Sequence, residues 1–144
     1  VDIVKFPWLH WRWRANELPP NGNEGAKKVC DAAAAINVIV RGSRWKPRTI
    51  KNTWSTTLRE GTETKSPLCR WPGQCDVIVM QSGDASKGTW VSERRNVLED
   101  YKRLYDDPDV EDLEIDAILI MSDGDNTKSL SAADYDDIYF STAP

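Results

Sequence analysis

Only one stretch of this chain repeats its apolar residues at helical spacing. Val97, Leu98, Tyr101 and Leu104 recur three and four apart, which predicts a helix over Asn96 to Tyr105. Just ahead of it, Trp90-Val91-Ser92-Glu93-Arg94 alternates, so a strand over Thr89 to Arg94 runs directly into the helix. The remaining ordered segments read as strands. Trp8 to Arg14 alternates, with Leu9, Trp11 and Trp13 on one face and His10, Arg12 and Arg14 on the other. Ala33 to Arg41, Arg48 to Thr56, Cys75 to Gln81, Ile115 to Ser122 and Tyr135 to Ser141 complete seven strands. Glu17 to Lys28 and Gly61 to Gln74 read as loops. Without a helix after each strand, βαβ units are excluded, and an antiparallel, mainly β sandwich with one short helix is expected.

A chain of 144 residues is expected to form a single domain, residues 1 to 144, with a real core. No apolar run approaches the roughly 18 residues of a membrane span. The net charge of −4 conceals an asymmetry. Residues 1 to 75 hold 13 Lys/Arg against 6 Asp/Glu, and residues 76 to 144 hold 6 against 17. The two halves can neutralise one another by packing, or the basic half can meet an anionic partner. The chain carries no nucleic-acid motif, and nucleic acid is not expected as a partner.

Cys69 and Cys75 bracket Arg-Trp-Pro-Gly-Gln, a turn that can bring them together, and a small loop disulfide is expected there. Such a bond implies an oxidising compartment. Cys30 is left as a buried thiol. Zinc is not expected, because His10 is the sole histidine and no CxxC pair exists.

Tryptophan stacks on the apolar face of a sugar ring, and this chain holds seven. Trp45 and Trp71 lie in polar loops and are the candidate platforms. Trp11, Trp13, Trp54 and Trp90 alternate with polar residues and read as core. Glu93 and Arg95 share a face of an extended segment, with Asn96 next to them. They form either a ligand-binding group or a structural ion pair with an Asn96 helix cap. Asp123-Gly124-Asp125-Asn126-Thr127 places oxygen atoms at alternate positions, as calcium loops do, and also reads as an Asx turn. Calcium through Asp123, Asp125 and Asn126 is the metal this spacing admits; no motif requires a cofactor. A glycosidase would need two facing carboxylates, such as Glu93 with Asp123 or Asp125. No catalytic residue is assigned, and the residues point away from an enzyme.

The segments LHWRWR, CDAAAAINVIV, TIKNTWSTTLREGT, VIVMQSG, GTWVSERRNVLEDYKRLY and IDAILIMSDGDNTKSLSAADYDDIYF, in that order, resemble a bacterial family catalogued as domain of unknown function 3047. The resemblance implies a secreted or periplasmic, jelly-roll-like sandwich, similar in outline to galactose-binding-like modules. It implies no reaction. Family members show two acidic residues where this chain has Cys30-Asp31, and they carry more strands ahead of the LHWRWR segment. A covering layer for the Trp11 and Trp13 face and the Ile115 to Met121 strand is therefore expected from an upstream segment or from a strand donated by another chain. Together these readings lead to a non-enzymatic binding module, periplasmic or extracellular, with carbohydrate as the leading ligand. The alternative is a structural or accessory subunit of a larger assembly, and a carboxylate-dependent hydrolase stands third.

Overall fold

Strand β1 (Trp8–Glu17) buries every second side chain: Leu9, Trp11, Trp13 and Ala15 are sealed, while His10, Arg12 and Arg14 stay partly open. This is the period-two pattern of a strand with one core face. The computed structural model describes residues 1–41, 46–70, 72–107 and 110–144. After β1 come β2 (Ala34–Arg41), β3 (Pro47–Ser55), β4 (Glu63–Lys65), β5 (Gln74–Ser82), β6 (Val91–Asn96), α1 (Val97–Leu104), β7 (Glu114–Met121) and β8 (Ala132–Ser141).

The strands form two sheets, one in the order β6-β1-β8 and one in the order β4-β5-β3-β2-β7. Both contribute to one apolar core. Trp11 and Trp13 from the smaller sheet meet edge to face at 5.4 Å, and Trp13 lies 6.0 Å from Trp54 of the larger sheet. Ile36, Val38, Val40, Ile50 and Ile78 complete the opposing layer. The expected mainly β sandwich with one short helix is the observed architecture.

Two features differ from the sequence reading. Strand β4 falls inside the expected 61–74 loop, and the β3–β5 pair runs parallel, with Thr49 beside Cys75 and Thr53 beside Val79. The causes are linked. Strand β4 forms the outer edge and hairpins back into β5, so β5 inserts between β4 and β3 and runs in the direction of β3. Among the described residues, the other strand pairs are antiparallel.

The strand-to-helix junction forms as expected. Asn96 is extended and its side chain accepts a hydrogen bond from Glu99 N at 3.0 Å, capping α1. Glu99 and Asp100 lie in the first turn and Lys102 and Arg103 in the last, which suits the helix dipole. Val97 and Tyr101 bury the apolar side of α1 against the core.

Candidate functional site

The outer face of the three-stranded sheet is an aromatic and charged platform. His10 and Tyr139 are cross-strand partners whose rings stack at 4.6 Å and 3°. Tyr139 is 53% exposed. Beside them Trp90, immediately ahead of β6, lies under two guanidinium groups, Arg12 at 4.9 Å and Arg14 at 5.1 Å. Trp90 was expected in the core but is 37% exposed. It precedes β6 rather than lying in it, so strand alternation does not govern where its ring points.

A bulge in β8 builds this face. Tyr135 pairs with Trp13 and takes the core side, and simple alternation would send Tyr139 inward as well. A register shift between His10 and Arg12 inverts the parity, and Asp137 at the shift has a φ of +51°. Tyr139 is thereby turned outward. Asp136 and Asp137 both reach Arg12, at 2.6 and 2.8 Å. Asp134 accepts from Arg14 and Asn16. Hydrogen bonds from Asn16 and Arg14 hold the Asp134 carboxyl below the usual carboxylate range, and Arg12 does the same for Asp136.

Glu93, Arg95 and Asn96 divide their roles. Arg95 pairs with Asp100 rather than with Glu93, donating from Nε at 2.8 Å. Arg103 also binds Asp100, at 2.9 Å, and pairs with Glu63, which ties α1 to β4. Glu93 lies opposite Trp11 on the core side and accepts a hydrogen bond from Gln81 at 2.8 Å. Burial pushes its carboxyl above the usual range. These contacts brace the junction.

The Asp123 to Thr127 loop gains a partner from a distant segment. Asp31, fully buried, accepts hydrogen bonds from Asn126 N at 3.2 Å and Thr127 N at 2.5 Å. Ligand oxygens of Asp31, Asp123 and Asp125 lie within 4.8 Å of one another. Burial, then hydrogen bonding and repulsion from Asp125, push the Asp123 carboxyl up. With its amide nitrogen facing the carboxylates, Asn126 donates to Asp31 at 3.3 Å and Asp125 at 3.1 Å. In that orientation it braces the acids rather than coordinating a cation. Asp31, Asp123 and Asp125 are the three oxygen donors that could hold calcium.

The expected Cys69–Cys75 disulfide is not formed; all three cysteines are free thiols. Burial raises all three, Cys75 to about 11. A protonated thiol is a poor nucleophile for disulfide formation. The segment is closed by backbone bonds instead, Ser66 N to Cys75 O and Gly73 N to Arg70 O, each 2.9 Å.

Trp45 and Trp71, the two candidate platforms, lie outside the described residues. Glu93 faces the core, whereas Asp123 lines a pocket with Cys30, Asn37 and Lys51 on the outer side of the larger sheet. The two carboxylates a glycosidase needs are therefore not brought together by Glu93 and Asp123. Sequence reasoning missed Tyr139, Trp90 and Asp31 as site residues. The first depends on a bulge, and the last on a contact 95 positions away.

A model of the family described as protein of unknown function (DUF3047) matches residues 1–139. No curated protein and no solved structure matches the chain.

Proposed function

We propose that this chain, which belongs to the DUF3047 family, is a non-enzymatic binding module for carbohydrate, acting in the periplasm or outside the cell. The observation that carries the reading is the exposed aromatic pair on the outer face of the three-stranded sheet, Tyr139 stacked on His10 and Trp90 held under Arg12 and Arg14. A flat aromatic face suits the apolar side of a sugar ring, and the surrounding carboxylates and guanidiniums suit its hydroxyls. The bulge at Asp137 supports the same reading, since strained backbone is retained where it aims a side chain at a task. The free thiols lend no support to an oxidising compartment, so the location rests on the family resemblance.

A glycan array probed with the intact protein, beside Tyr139→Ala and Trp90→Ala, tests this. At least one glycan class should bind. Each variant should weaken it by about 1 kcal/mol, roughly fivefold, with the melting temperature little changed. An array without binding, or unchanged affinity in both variants, refutes the reading.

A second reading has its own observation. Strand β7 is an edge strand, and it exposes apolar side chains on both faces: Leu119 at 51%, Ile120 at 55% and Met121 at 37%. An apolar edge with free backbone groups is a template for a donated strand. Under this reading the chain is a subunit of a larger assembly. Lys substitution at Leu119 and Ile120 should then abolish co-purification of a partner while leaving glycan binding intact.

A further inference from the structure

Lys51 lies in the middle of the larger sheet, flanked by Asn37 on β2 and Val77 on β5, with its side chain on the outer face. It is 5% exposed. Among the described residues it makes no ion pair or hydrogen bond. Its stem is buried while its ammonium opens into a pocket without an ion-pair partner, which leaves the charge available to a ligand. Lys51 lines a pocket of about 280 Å³ whose wall also includes Asn37, Thr49, Ser66, Cys75 and Asp123. Asp76 on β5 pairs with Ile50, on the other face of the sheet, and is engaged by Lys65 at 3.1 Å, while the buried Glu24 is held by the hydroxyls of Thr53 and Ser55 at 2.8 and 2.6 Å. The thiol of Cys75 is raised to about 11 and stays neutral.

The wall of the same pocket also carries the opposite imbalance. Asp123 lines it, and Asp31 and Asp125 crowd behind within 4.8 Å. No Lys, Arg or His among the described residues forms an ion pair with any of the three. Lys51 and Asp123 do not pair with each other either, so the pocket separates an unmet positive charge from an unmet negative one.

We infer that this pocket binds a small zwitterion of the α-amino-acid class, its carboxylate on Lys51 and its ammonium on Asp123. A simple anion would satisfy Lys51 but sit against three carboxylates. A simple cation would satisfy Asp123 and leave Lys51 without a partner. A zwitterion answers both charges, and Asn37, Thr49 and Ser66 supply neutral hydrogen-bonding groups. The volume lies just below the roughly 300–1,000 Å³ of drug-sized ligand sites, which favours a molecule of amino-acid size. This site is on the opposite side of the sandwich from the aromatic platform and does not depend on the glycan reading.

Thermal melting of the full chain in chelator-containing buffer, against each of the common amino acids at millimolar concentration, provides the screen. At least one should raise the melting temperature, since a ligand that binds only the folded state stabilises it. Its N-acetyl and carboxamide derivatives, each missing one charge, should bind at least about tenfold more weakly by calorimetry. Lys51→Met and Asp123→Asn should each cause a comparable loss. If Lys51→Met does not fold, Asp123→Asn at the rim carries the test. No response to any amino acid, equal binding of either derivative, or unchanged affinity in the Asp123→Asn protein would overturn the assignment.

Discussion

Asp31 and Thr127, 96 positions apart in the chain, are joined by a 2.5 Å hydrogen bond from the backbone nitrogen to the carboxylate. Asn126 N donates to the other oxygen of the same carboxylate. One buried side chain thus fastens the loop after β7 to the segment leading into β2. Asp31→Ala strands two backbone donors and should cost about 2–4 kcal/mol. Asp31→Asn keeps one acceptor and should cost less. Urea unfolding of the three proteins checks the order, and an Asp31→Ala protein as stable as the parent would remove the latch.

Gly124 is required by close approach. A Cβ placed there would sit 2.2 Å from the Ser129 carbonyl oxygen, whose residue donates its N–H to Gly124 O at 2.9 Å. Gly124→Ala must open this turn, with an expected destabilisation of about 1–3 kcal/mol. A melting temperature within error of the parent would show that the turn can relax freely.

Burial, then the neighbouring carboxylates, raise the Asp123 carboxyl, so protons compete with calcium for Asp31, Asp123 and Asp125 as pH falls. Millimolar calcium is expected to raise the melting temperature, more strongly at pH 8 than at about pH 5, where carboxyl protons compete. Asp125→Asn should abolish the rise. A flat titration at both pH values removes the metal.

Glu93 gives a pH signature. Its folded pKa is raised by burial, so the folded state holds the proton more tightly than the unfolded chain. The stability it contributes is fully present below the unfolded value of about 4.3 and is lost as pH rises through the folded value. In Glu93→Gln the group is neutral at every pH, and its side-chain oxygen can still accept from Gln81. That variant should lose less stability than the parent between about pH 4 and pH 7. Parallel pH profiles of the urea midpoint would show that Glu93 is not the source.

What local sequence conveys, it conveys well here. The Trp8 to Arg14 alternation predicts which side of β1 enters the core, and the change of period at Glu93 to Val97 predicts the junction and the Asn96 cap. Strand β4 was not legible, because Glu63-Thr64-Lys65 has no apolar alternation and is ordered by pairing with β5. The direction of β5 was not legible either, since strand polarity is set by the path of the chain. Within the sites, the DGDNT loop was visible as acidic spacing, but its third acid comes from Asp31. Tyr139 was not legible as a platform residue, because a single extra residue in β8 sets which face it shares with His10. Lys51 is one lysine among many in sequence; only the sheet that surrounds it makes it unusual.

The central strand of the smaller sheet is made well before both of its partners. Strand β1 pairs with β6 and with β8, so Trp8 waits for Asn96 and Ser141, and Trp13 for Val91 and Tyr135. During synthesis, three tryptophans and two open strand edges emerge long before the residues that cover them. Pairings this distant in sequence are slow to form. The nascent chain therefore carries an unpaired, tryptophan-rich strand open to wrong partners until β8 arrives.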